Sequence, residues 1–122
     1  MIRIAIGGAI DKQKIFKTIK ECGYANIETK IMTDIEAAMA VKKGDYEYYL
    51  GACSTGGGGA LAMAIAIIGA SKCVSVSMPG KAPKDENIKK AISEGKIAFG
   101  FTNEHIDKAV PLILKNIVEA KN

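Results

Sequence analysis

The sequence predicts an α/β domain of three layers, a doubly wound five-stranded parallel sheet with helices on both faces. Three observations lead there. Five short apolar runs alternate along the chain with five stretches of helical periodicity. No segment repeats in tandem, so a solenoid is excluded. The 122 residues are 48% hydrophobic and 25% charged, which suits one core, and a single domain over 1–122 is expected. Right-handed crossovers leave few strand orders, of which 2-1-3-4-5 is favoured.

Ile2, Ile4 and Ile6 with Ala5 form the first strand, which stops at the turn signal Gly7-Gly8. Asp11 is placed to cap a helix whose Ile15, Phe16, Ile19 and Cys22 share one face, and Gly23 ends it. Ile27 to Met32 alternates apolar and polar residues, as a half-exposed strand near a sheet edge does. Thr33 and Glu36 have the spacing of a capping box for a helix over Ile35–Lys43, closed by Gly44. Tyr46–Ala52 is the third strand and feeds a glycine-rich loop. The helix after it, Ala60 to Ile68, carries no charge and needs cover on every side. So short a chain has little material for that cover, and a homo-oligomer with this helix near the interface is expected. Cys73 to Ser77 is the fourth strand, followed by the irregular stretch Met78 to Lys84. Asp85 is placed to cap a helix bearing Ile88, Ala91 and Ile92. Ile97–Phe101 is the fifth strand. Thr102 or Asn103 caps the last helix, where Pro111 is expected to kink or split it.

Composition narrows the function classes. The net charge is +4, but 16 of the 17 basic residues are lysines spread over helix surfaces, and the one arginine, Arg3, lies in an apolar run. Nucleic-acid binding needs clustered basic and aromatic readers, so it is not expected. Cys22, Cys53 and Cys73 are odd in number and far apart, which fits reduced thiols in a cytoplasmic protein. One histidine and no CxxC pair argue against a structural metal. Residues 1–7 lack the features of a signal peptide, and the apolar run of 60–70 falls short of the ~20 residues that span a bilayer. No membrane insertion is expected.

The residues with the strongest claim to chemistry are Cys53-Ser54-Thr55-Gly56-Gly57-Gly58-Gly59, between the third strand and the apolar helix. Four glycines cost about 0.5–1 kcal/mol each against alanine in regular structure, so bare backbone is needed there. Backbone N–H groups at a helix start, with the Ser54 and Thr55 hydroxyls beside them, suit a phosphate or carboxylate. The alternative reading is close helix–sheet packing. The loop has neither the Gly-Lys-Ser/Thr of a nucleotide loop nor the GxGxxG spacing of a dinucleotide site, and no cofactor is expected. A helix N-terminus lowers the pKa of a thiol against it, which makes Cys53 a candidate base or nucleophile; a small buried strand-end residue is the alternative. In a parallel sheet all C-terminal strand ends share one edge. Gly7, Gly8, Thr102 and His105 would meet the loop there, His105 as acid or base. Lys81, with Lys84, is placed to close over an anion.

Taken whole, the chain resembles a small bacterial family of glycine-rich proteins with no assigned activity. The likeness rests on Ile6-Gly7-Gly8, Asp34 to Lys42, Tyr49-Leu50-Gly51-Ala52-Cys53 with its glycines, Val76-Ser77-Met78-Pro79-Gly80 and Phe99-Gly100-Phe101-Thr102. Over Tyr49 to Ser75 it is also similar to B-type ribose-phosphate and galactose-phosphate isomerases, which have a Cys-Gly-Thr-Gly-x-Gly loop. That resemblance implies Cys53 as enediolate base and Thr55 as its helper. The chain departs from those enzymes in having Gly8-Ala9 for their Asp-His and Ala62-Met63-Ala64 for their Asn-Lys, and it lacks their His-Asn-Asp segment. A third likeness, to the phosphocysteine loop of sugar-phosphotransferase B subunits, implies a phosphocarrier or regulatory module with a membrane transporter as partner. In those proteins the cysteine follows the first strand; here it follows the third. A non-catalytic oligomeric structural protein is the remaining alternative.

Overall fold

Strands buried along nearly their whole length become the inner strands. β1 (Ile2–Gly8) exposes only Arg3, and β3 (Tyr48–Cys53) and β5 (Ala98–Thr102) are buried throughout. β2 (Ile27–Ile31) and β4 (Cys73–Ser75) are each buried at one position only. The computed structural model, which describes residues 1–55 and 58–122, joins them in one parallel sheet of order β2-β1-β3-β5-β4.

This corrects the expected order 2-1-3-4-5, because β5 sits between β3 and β4. The reason is the composition of β5. Ala98-Phe99-Gly100-Phe101 is apolar on both sides and can be covered on both, whereas β4 has only three residues and turns Ser75 outward.

The two faces of the sheet differ in side-chain size. On one face α1 (Lys12–Cys22), α4 (Asp85–Ser93) and α5 (Ile106–Lys121) bring Ile15, Ile19, Ile88 and Ile113 against Ile4, Leu50, Phe99 and Phe101. On the other, α2 (Asp34–Lys43) and α3 (Gly58–Ile67) bring Ala37, Ala38, Ala60 and Ala64 against Ala5 and Ala98. Among the described residues, only Tyr49 is both large and completely buried on this alanine face. The layers are thus α/β/α as expected.

The capping box of α2 forms as its spacing predicts. The Glu36 N–H donates to Thr33 Oγ1 and the Thr33 N–H donates to Glu36 Oε1, both at 3.1 Å. Other expectations at helix ends fail. Asp11 makes no cap bond; it adopts a left-handed φ of 56°, and its carboxylate accepts from Asn103 Nδ2 at 3.1 Å. Asp85 lies inside the first turn of α4 and accepts from Lys115 Nζ at 2.9 Å and Asn116 Nδ2 at 2.8 Å, because α5 offers two donors there. Neither Thr102 nor Asn103 caps a helix through its side chain. Pro111 does not split α5, since Val110, Ile113, Leu114 and Ile117 hold the helix on the sheet from both sides of the ring.

In α3, Ala60, Leu61 and Ala64 face the sheet, while Ile65 is 44% exposed. On the neighbouring α2, Ile35 (54%) and Met39 (41%) are also uncovered. No helix among the described residues is long and apolar enough to cross a membrane.

Candidate functional site

The register of β3 with β5 pairs Cys53 with Thr102 at the C-terminal edge of the sheet. Cys53 is buried, and its Sγ lies 3.3 Å from Thr55 Oγ1 in a thiol–hydroxyl hydrogen bond in which either atom can donate. The first turn of α3 passes over this cysteine. A methyl group on Gly59 would sit 3.3 Å from both Cys53 Cβ and Ala9 Cβ, so bare backbone brings the helix start against the thiol. A methyl on Gly58 would have room, with Thr55 Oγ1 3.7 Å away. Ser54 is exposed beside them. Gly56 and Gly57 lie outside the described residues.

The support under this edge is Tyr49. Its hydroxyl accepts from the Gly8 N–H at 2.8 Å and donates to the Ala60 carbonyl at 2.9 Å, joining the end of β1 to the start of α3. Burial pushes the phenol up to about 12, so it stays protonated and keeps donating. Gly7 and Gly8 are shaped by this arrangement. The Tyr49 ring occupies the space of a Gly7 side chain, and Gly8 has φ +79° with Ala52 N only 2.7 Å from where a Cβ would stand. The Gly8 amide is already engaged by the phenol.

A second cluster adjoins the first. Thr102 is buried; its N–H donates to Ser77 Oγ at 3.0 Å, and the two hydroxyls are 3.2 Å apart. Thr102 Oγ1 is also 2.5 Å from His105 Nδ1. Ser77, Thr102 and His105 therefore form a continuous chain of hydrogen-bonding groups ending on a half-buried imidazole. Among the described residues the other ring nitrogen of His105, Nε2, has no hydrogen-bond partner.

The structure thus gathers Cys53, Thr55, Gly58 and Gly59 at the end of β3, with Thr102 and His105 at the neighbouring strand end. Lys81 instead lines a groove beyond β4 together with Ser77 and Lys84. Cys73 is buried in the core and Cys22, half-buried, packs against it; burial pushes both thiols up.

Sequence reasoning missed two residues, Tyr49 and Lys12, and one pairing. Tyr49 lies within a strand, where a large tyrosine in an alanine-lined layer was the available signal. Ser77 was read as the last residue of the fourth strand, and its bonds to Thr102 were not foreseen. Lys12 was one lysine among many, yet its Nζ donates to the Met32 carbonyl at 2.8 Å and puts a cation on the same sheet edge.

Comparison with known proteins agrees with this picture at the level of fold. The chain aligns with the type B ribose 5-phosphate isomerase of Trypanosoma brucei at a TM-score of 0.64, over 99% of this chain and 95% of that one, with 11% identity. In sequence it is 44% identical over 117 residues to the uncharacterized protein YhfU of Escherichia coli K12, covering 96% of this chain and 99% of that protein. The YhfU of Shigella flexneri matches equally. Residues 2–117 match the family described as "Protein of unknown function DUF2620", and the chain belongs to that family.

Proposed function

We propose that the chain binds a small phosphorylated or carboxylated metabolite at the 53–59 loop and moves a proton on it in the manner of a sugar-phosphate isomerase. The observation that carries this reading is the Cys53 thiol, buried at a strand end, 3.3 Å from the Thr55 hydroxyl and under the first turn of α3. The fold shared with a type B ribose 5-phosphate isomerase supports it. In such a reaction the Cys53 thiolate takes the proton from the carbon next to a carbonyl, an enediolate forms, and the proton returns to the neighbouring carbon. Thr55 holds the thiolate by hydrogen bonding. His105, oriented through Thr102, exchanges a proton with a substrate oxygen. Ser54 and the glycines supply donors for the anion. The three cysteines outside any disulfide support a reducing, cytoplasmic setting.

The test is a thermal-shift screen of sugar phosphates and their uncharged parents, followed by turnover assays. A ligand at about 100 times its Kd adds about 2.7 kcal/mol, a rise of several degrees in Tm. A shift with a phosphorylated compound and not its parent, with turnover abolished in Cys53→Ala and binding kept, is the expected result. Turnover unchanged in Cys53→Ala would sink the chemical step.

A homo-oligomer is the second part of the reading, favoured by uncovered Ile35, Met39 and Ile65 on adjoining helices. Light scattering after gel filtration should give a multiple of the chain mass, and Ile65→Asp should give the single-chain mass. A wild-type monomer at micromolar concentration refutes it.

A further inference from the structure

We propose that the groove beyond the end of β4 is a second binding site, one for a small organic anion: a phosphate or carboxylate carried on an uncharged body. It goes beyond the reading above, because none of Cys53, Thr55, Thr102 or His105 lines it. The groove encloses about 580 Å³ between the 76–84 loop and the start of α4, within the ~300–1,000 Å³ of small-molecule sites.

Its walls are held in place. Met78 and Lys81 pair across a turn, Met78 N–H to Lys81 O at 3.1 Å and Lys81 N–H to Met78 O at 2.8 Å. Between them stand Pro79 and Gly80 with φ +74°, the residue types that a type II turn requires at its two central positions. The Gly80 N–H donates to Glu104 Oε1 at 3.4 Å, and Ser77 is tied to Thr102, so the segment is anchored to the β5 side at its start and at its turn. Pro83 is buried. A ligand would meet a formed site and not have to order a loop.

The lining chemistry names the ligand class. Val76, Met78 and Pro83 give an apolar wall, and Asn87 adds an amide. Lys81 and Lys84 put two ammonium groups on the rim, and neither is in an ion pair among the described residues. Asp85, next in sequence, does not neutralise them, because its carboxylate is held by Lys115 and Asn116 of α5. Among the described residues, no carboxylate, arginine or aromatic ring lines the groove. Two lysines acting as point charges suit one phosphate or carboxylate, and the apolar wall suits the rest of a small molecule.

An amide NMR titration tests this with inorganic phosphate, glycerol 3-phosphate and glycerol as probes. Saturable shifts with glycerol 3-phosphate over residues 75–87, absent with glycerol and at least tenfold weaker in Lys81→Ala/Lys84→Ala, are expected. Cys53→Ser should leave that titration unchanged, which separates this site from the loop at 53–59. Both lysines are exposed, and a superimposable spectrum elsewhere confirms that the double variant is folded. Shifts confined to the 53–59 loop with none over residues 75–87, or groove shifts that survive in the double variant, overturn the proposal. Inorganic phosphate binding as tightly as glycerol 3-phosphate would overturn the part played by the apolar wall.

Discussion

Tyr49 is where a single side chain decides the most. Tyr49→Phe keeps the ring and removes both hydrogen bonds, leaving the Gly8 N–H and the Ala60 carbonyl without their partner. The expected loss is about 1–3 kcal/mol in urea unfolding. The same phenol gives a pH signature. Burial pushes it up to about 12, above the ordinary phenol value of 10, so between those pH values the unfolded chain sheds the proton and the folded one keeps it. Stability is therefore whole below pH 10 and falls as pH rises towards 12, by roughly 2–3 kcal/mol for two pKa units. Tyr49→Phe should lack this alkaline loss, and unfolding curves at pH 9 and pH 11 decide. Thr102 carries the other residue-scale expectation. Thr102→Val leaves its backbone bond to Ser77 but deprives His105 Nδ1 of its partner. The ring nitrogen shifts of His105 should move in NMR, with stability changed by about 1 kcal/mol. Unmoved ring shifts would mean that the hydroxyl does not set the imidazole's tautomer.

Among the elements, α2 was the most readable, because Thr33 and Glu36 satisfy each other locally and need nothing from the rest of the fold. Thr33→Ala should cost about 1 kcal/mol in thermal or urea unfolding. The Thr33 amide holds the Glu36 carboxylate below its usual range, with the Thr33 hydroxyl contributing next. A carboxylate lowered on folding stabilises above its unfolded pKa and ceases to as pH falls, so the difference between wild type and Glu36→Ala should narrow below about pH 4. A constant gap from pH 7 to pH 3 would argue against the box. Asp11 and Asp85 were unreadable for the converse reason: their partners, Asn103 and Lys115 with Asn116, are distant in sequence and only the fold brings them near. Pro111 belongs with them, since packing on both sides of it outweighs a local preference.

At the scale of the molecule, alternation of apolar runs with helical stretches made the three layers legible, and the parallel sheet put Cys53, Thr102 and His105 on one edge as its geometry demands. The order of the last two strands was misread, although Ser75 and Ser77 mark β4 as half-exposed and the apolar Ala98-Phe99-Gly100-Phe101 marks β5 as an inner strand. The groove around Lys81 escaped the same reading: the residue was expected to close over an anion with the 53–59 loop, and it lines a separate groove beyond β4 instead. Burial implies a ranking that amide exchange can check. Protection should be greatest in β1, β3 and β5 and least in β4, whose single hydrogen-bonded neighbour is β5. Slow exchange in β4 equal to that of β3 would contradict the edge position. The same strand order bears on synthesis. When residues 73–75 leave the ribosome, the strand they pair with has not yet emerged, and the place beside β3 is still empty. The sheet closes only after residue 102 has emerged, so a nascent chain stalled before that point carries two unfilled strand edges and is a natural client for chaperones.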